Sequence, residues 1–96
     1  MAEKIFAVNY VYDPSRSEDL ARIRPDHRVF LRSLYESGSL LASGPFGDGE
    51  ALIVVRADDS AKALELLDPD PLHAAGIILS RTATEWNPVI SPWAAQ

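Results

Sequence analysis

The chain has 96 residues, of which 47% are apolar; its formal net charge is −5 and it contains no cysteine. That length accommodates one domain over residues 1–96, with a core from about residue 3 to 90 and a C-terminal tail over 91–96. The apolar fraction excludes wholesale disorder, the missing thiols exclude disulfides and any Cys-based zinc or redox centre, and the acidic balance opposes nucleic-acid binding.

The opening stretch MAEKIFAVNYVY lacks the charged segment, long apolar run and small-residue site of a signal peptide, and no later run approaches the length needed to span a bilayer. A cytoplasmic protein with neither membrane nor nucleic-acid partners is the expectation. Within that stretch, Lys4 to Tyr12 is β-branched and aromatic without Gly or Pro, which predicts a strand. Ile5, Ala7, Asn9 and Val11 fall on one face; Phe6, Val8, Tyr10 and Tyr12 fall on the other. Both faces are largely apolar, as in a strand covered by helices on one side and by a partner on the other. Asp13-Pro14-Ser15 ends it with turn chemistry.

Glu18 to Ile23 reads as a short helical lead-in, after which Pro25 restarts or kinks the helix. The helix beginning at Pro25 runs to Gly38, which offers a left-handed cap. Counting from His27, steps of three, four and seven reach Phe30, Leu31 and Leu34, so His27 lies on the apolar face, one turn from the predicted helix start. Arg28, Arg32 and Glu36 fall on the watered side. A polar imidazole on a buried stripe needs a partner or a task. It is either a core histidine satisfied by a backbone carbonyl or a general acid/base, kept neutral by the positive end of the helix dipole.

A second strand is predicted over Ser39 to Ser43, then a loop with three glycines, Gly44-Pro45-Phe46-Gly47-Asp48-Gly49. No Gly-Lys-Ser/Thr follows, so a nucleotide loop is rejected. Glu50 to Arg56 is the third strand. A helix over Ala61 to Leu67 follows, capped by Asp58, Asp59 or Ser60, with Ala63, Leu64 and Leu67 inward. The two Asp-Pro pairs within residues 68–76 predict a constrained turn rather than a regular element. Ile77 to Glu85 is the fourth strand, and Trp86-Asn87-Pro88 leads into an exposed or dimer-packed tail.

The order is β-α-β-β-α-β, the split βαβ of an α+β ferredoxin-like fold: a four-stranded antiparallel sheet with helices on one face. Its open face is apolar, and a homodimer packed sheet to sheet would cover it. In this topology the start of the His27 helix and the turn holding Asp70 lie on the same side of the sheet. Asp70 is therefore the natural partner for His27: it would accept the ring N–H, fix the tautomer and stabilise the charge that forms during proton transfer. His73 completes a conceivable metal set with His27 and Asp70, but no ligand spacing links the three, so no metal and no cofactor are expected. Arg24 is placed to contact an anionic substrate, and Phe46 on the Gly-rich loop to line a pocket. Ser43 has no base beside it in sequence, which leaves it a candidate substrate contact rather than a nucleophile.

Arg24-Pro25-x-His27, the Leu-rich helix to Gly38, Leu40-Leu41-x-x-Gly44-Pro45, Ser60-Ala61-Lys62-Ala63 and Asp70-Pro71-Leu72-His73-Ala74-Ala75-Gly76 together resemble the YCII (YciI-like) family over nearly the whole chain. Leu72 stands where that family usually has Phe or Tyr, and the loop after Gly44-Pro45 is short. The resemblance implies a ferredoxin-like α+β barrel, a homodimer, and a site whose His–Asp pair matches His27 and Asp70. It also implies a cofactor-free lyase or isomerase acting on a small cyclic or aromatic compound. Dehydrochlorination of a chlorinated hydroxyquinol is the best-defined family chemistry. The alternatives are a non-catalytic ligand-binding or accessory subunit and a purely structural dimerisation module, whose pocket would be closed by side chains.

Overall fold

The computed structural model describes residues 3–94. Four strands, β1 (Lys4–Tyr12), β2 (Leu40–Pro45), β3 (Glu50–Ala57) and β4 (Ile78–Glu85), form one antiparallel sheet in the order β2-β3-β1-β4. Three helices, α1 (Ser17–Glu36), α2 (Ser60–Leu67) and α3 (Pro71–Ala74), pack on it. This is the α+β, ferredoxin-like arrangement that the element order predicts.

The period-two pattern of β1 decides which side the helices take. Phe6, Val8, Tyr10 and Tyr12 are buried together with Ala51, Ile53 and Val55 of β3, against Leu31 of α1, Ala63 and Leu67 of α2, and Leu72 of α3. The opposite face carries Ala7, Asn9 and Val11, all half-buried. At its β1 start, the Trp86 N–H donates to the Ile5 carbonyl at 2.9 Å, and the Trp93 ring meets Trp86 edge-on at 6.4 Å. Val89 and Ile90 between them are exposed. The last two residues of the predicted tail, 95 and 96, lie outside the described residues.

Two expectations change. The lead-in and the helix are not separate: α1 is continuous for 20 residues, with Pro25 inside it. Proline removes one helical N–H and crowds the preceding turn, at about 3 kcal/mol or more. The helix survives because its apolar stripe begins before the proline. Leu20 and Ile23 pack on the same core as Leu31 and Leu34, and Glu18 and Asp19 in the first turn complement the helix dipole. Residues 68–76 do contain a regular element, the short helix α3, because Asp70 caps its N-terminus by accepting from the Leu72 N–H at 3.0 Å and Pro71 occupies the first turn.

Both α1 and α3 close with the same device. Gly38 (φ 90°) bonds to the Tyr35 carbonyl and Ser39 to Leu34; Gly76 (φ 73°) bonds to His73 and Ile77 to Leu72. These are Schellman motifs, and each requires a left-handed residue that glycine supplies without strain. Arg16 then ties the helices together: its guanidinium donates to the Ala75 carbonyl at 2.9 Å and to Asp19 at 3.0 Å. This clamp holds the end of α3 against the start of α1, and so fixes where Asp70 meets the longer helix.

Candidate active site

Asp70 is fully buried, a position a carboxylate tolerates only when its oxygens are satisfied. They are satisfied from three elements. The α3 backbone supplies Leu72 N–H to Oδ1, β1 supplies the Tyr10 hydroxyl to Oδ2 at 3.0 Å, and α1 supplies His27 Nδ1, at 2.9 Å from Oδ1 and 2.8 Å from Oδ2. A carboxylate accepts and does not donate, so Nδ1 carries a proton, and in the neutral ring Nε2 holds the lone pair.

His27 is 7% exposed and lines a cavity of about 200 Å³ between α1 and the β2–β3 hairpin. Nε2 has no hydrogen-bond partner among the described residues. The one sealed and unpaired side-chain polar atom among them is Asn9 Oδ1, so Nε2 is reached from the cavity. The arrangement is a proton acceptor open to a small molecule on one side and anchored by a buried carboxylate on the other, as general acid/base chemistry requires.

The surrounding groups are set by the same packing. Tyr12 lines the cavity; burial first, and then the Asp70 charge, push its phenol up to about 12, while Arg24 opposes that rise. Burial and the same carboxylate raise Tyr10 further, which keeps its hydroxyl protonated as the donor to Asp70. Arg24 and Ser43 both line the cavity. Phe46 does not: it is 56% exposed at the tip of the β2–β3 hairpin, where its N–H donates to the Glu50 carbonyl. His73 is paired elsewhere, with Nε2 3.8 Å from Asp68 Oδ1. Among the described residues, no three metal-ligating side chains converge.

The continuity of α1 overturns one electrostatic expectation. His27 sits in the middle of the helix, not one turn from its start, and a helix terminus acts only over its end turn. The helix dipole therefore does not tune the ring; Asp70 is its electrostatic partner. Sequence reasoning also missed three residues. Alternation groups Tyr10 with Phe6, Val8 and Tyr12 on one face of β1, but it cannot say that the Tyr10 hydroxyl ends on Asp70, 60 positions away. Arg28 was assigned to the solvent side. It is exposed, yet it borders the cavity because it follows Arg24 by one turn. Glu50 lines the cavity while its Oε1 accepts from Asn9 at 3.0 Å.

The comparisons with known proteins bear on family and fold. The family model for the YCII-related domain matches residues 5–87. Among solved structures, the chain is similar to the 5-chloro-2-hydroxyhydroquinone dehydrochlorinase of Burkholderia phenoliruptrix AC1100, in complex with 2,5-dihydroxybenzoquinone. The TM-score is 0.73 at 16% identity, over 85% of this chain and 92% of that one. It is also similar to a putative antibiotic biosynthesis monooxygenase from Bacteriodes thetaiotaomicron VPI-5482, with a TM-score of 0.58 at 11% identity over 99% of this chain and 97% of that one. At these identities the likeness is one of fold. The comparison with curated proteins gives no match.

Proposed function

The chain belongs to the family of YCII-related domains, and from that premise we propose that it is a cofactor-free lyase or isomerase acting on a small hydroxylated ring compound. The observation that carries this reading is the buried His27–Asp70 pair with Nε2 open to a cavity. Nε2 takes a hydroxyl proton from the substrate while Asp70 balances the positive charge gained by the ring. The electron pair left on oxygen drives into the ring, and a ring carbon takes up a proton to give the keto form. In an isomerase the reaction ends there.

In a lyase, that carbon also bears the leaving group. Loss of a second hydroxyl proton then expels the leaving group with its bonding pair, and the net change is loss of HX with no external oxidant. The dehydrochlorinase fold neighbour supports the lyase version, with chloride as X. Arg24 and Ser43 are the substrate contacts, and the working unit is a homodimer packed through the open faces of its sheets.

The test is His27→Asn, an exchange close in size that retains a polar group toward Asp70. Turnover of a chlorinated hydroxyquinol, followed by chloride release, should fall by a factor of about 10² to 10⁴ while circular dichroism and melting stay near the parent's. Unchanged chloride release would sink the proposal. Binding without any turnover in the parent protein would instead make it a ligand-binding subunit.

A further inference from the structure

The charge distribution along α1 goes beyond the His–Asp pair. Arg24, Arg28 and Arg32 recur every four residues, so their side chains follow one another along one flank of the helix over about 12 Å. The described ion pairs of arginine use Arg16, Arg22 and Arg81. Arg24, Arg28 and Arg32 form none among the described residues. Like charges one turn apart are mildly destabilising, and this row stands on a protein of net charge −5.

The row coincides with an elongated depression. The His27 cavity is bordered by Arg24 and Arg28. A second cavity of about 280 Å³ shares Arg28, Leu31 and Ser43 with it and continues to Arg32, Tyr35 and Leu40. The Arg32 guanidinium lies over the Tyr35 ring, 5.7 Å from its centre, and this contact fixes the far end of the row. Two carboxylates lie nearby. Glu50 borders the first cavity, but its carboxylate is engaged by Asn9 on the opposite face of the sheet, and Glu36 borders Arg28 and Arg32 on the outer flank of the helix without an ion pair among the described residues. Among the described residues, none that line the second cavity is acidic.

We infer that the natural substrate is an extended organic anion, an aromatic or enolic compound with two acidic groups. One is held by Arg24 and Arg28 beside Nε2 of His27, and the second lies in the adjoining cavity on Arg32. The apolar middle of such a molecule rests on Leu31, between the two charged ends. This inference rests on the catalytic reading above and names the substrate class of that site. Guanidinium groups suit it because they bind carboxylates through paired N–H donors.

The experiment is a binding titration of the full chain with terephthalate, benzoate and benzamide at fixed ionic strength, followed by calorimetry and by the His27 ring signals in NMR. Affinity should fall in that order. Arg28→Gln should weaken both anions by about tenfold and leave benzamide unchanged, and Arg32→Gln should bring terephthalate down to the level of benzoate. Equal binding of benzamide and the anions, or anion binding insensitive to both arginine exchanges, overturns the inference. His27→Asn separates the two readings. It should lose turnover yet retain terephthalate affinity, so failure of the catalytic proposal leaves the anion result standing and the reverse holds as well.

Discussion

At the scale of single residues, Asp70 is the group on which the site depends. It caps α3, receives the Tyr10 hydroxyl and holds the His27 ring, so the carboxylate that stabilises α3 is the one that steadies the base in the proposed mechanism. In the proposed mechanism Tyr10 is a positioning residue, through its hydrogen bond to Asp70. Tyr10→Phe should cost about 2 kcal/mol of stability, the worth of a hydrogen bond to a charged group. It should also lower kcat roughly tenfold or more through a looser ring, with KM unchanged. A steady-state comparison that finds kcat intact would reduce Tyr10 to a core residue. Tyr12 adds a pH dependence. Below pH 10 it is protonated in the folded and unfolded chain alike, and its contribution to stability is fully present. Between pH 10 and about 12 the unfolded chain ionises while the folded one keeps its proton. Stability therefore falls as pH rises, by at most about 1.4 kcal/mol per pH unit for this residue, and Tyr10 adds in the same direction. Urea unfolding between pH 9 and 12 should show a shallower decline in Tyr12→Phe, and identical slopes would refute the assignment.

At the scale of elements, α1 carries most of the site: His27, Arg24 and Arg28 all stand on it, and Leu31 anchors it to the sheet. Its proline is a local defect that tertiary burial outweighs. Pro25→Ala restores a helical N–H to the carbonyl of Ala21, and with a small opposing change in the unfolded chain it should stabilise the protein by about 2 kcal/mol. Thermal melting measures this. A destabilised variant would mean that the proline itself is needed to seat His27. The helix was half legible in advance. The stripe of Leu31 and Leu34 marked its buried face, but Pro25 reads locally as a start. Only the packing of Leu20 and Ile23 shows that the helix has already run two turns before it. The short helix α3 was hidden for the opposite reason, since its Asp-Pro signals are shared by caps and by turns.

At the scale of the whole molecule, the sheet buries one face under helices and leaves Ala7 and Val11 only half covered on the other. A chain of this size gains stability from further burial, which favours the proposed sheet-to-sheet homodimer. Light scattering on a sized sample should give twice the 10.5 kDa chain mass, and Val11→Glu, on the open face, should return it to a monomer with His27 and Asp70 undisturbed. A monomeric parent would refute this packing. Among the described residues, no helix is long and apolar enough to cross a membrane.

The sequence by itself determined the element order, the antiparallel sheet, the two faces of β1, and the two residues worth pairing, His27 and Asp70. These follow from periodicity, turn chemistry and family resemblance, all of which are local or cumulative along the chain. Which face of β1 meets the helices came from the packing. The tertiary structure decided what depends on distance between remote segments. Tyr10 completes the carboxylate's hydrogen bonds, Arg28 joins Arg24 at the cavity, Phe46 faces solvent, and His27 lies mid-helix beyond reach of the dipole. The physical reason is that a side chain's face is fixed by its own backbone, whereas its partners are fixed by how separate elements bury their apolar surfaces together.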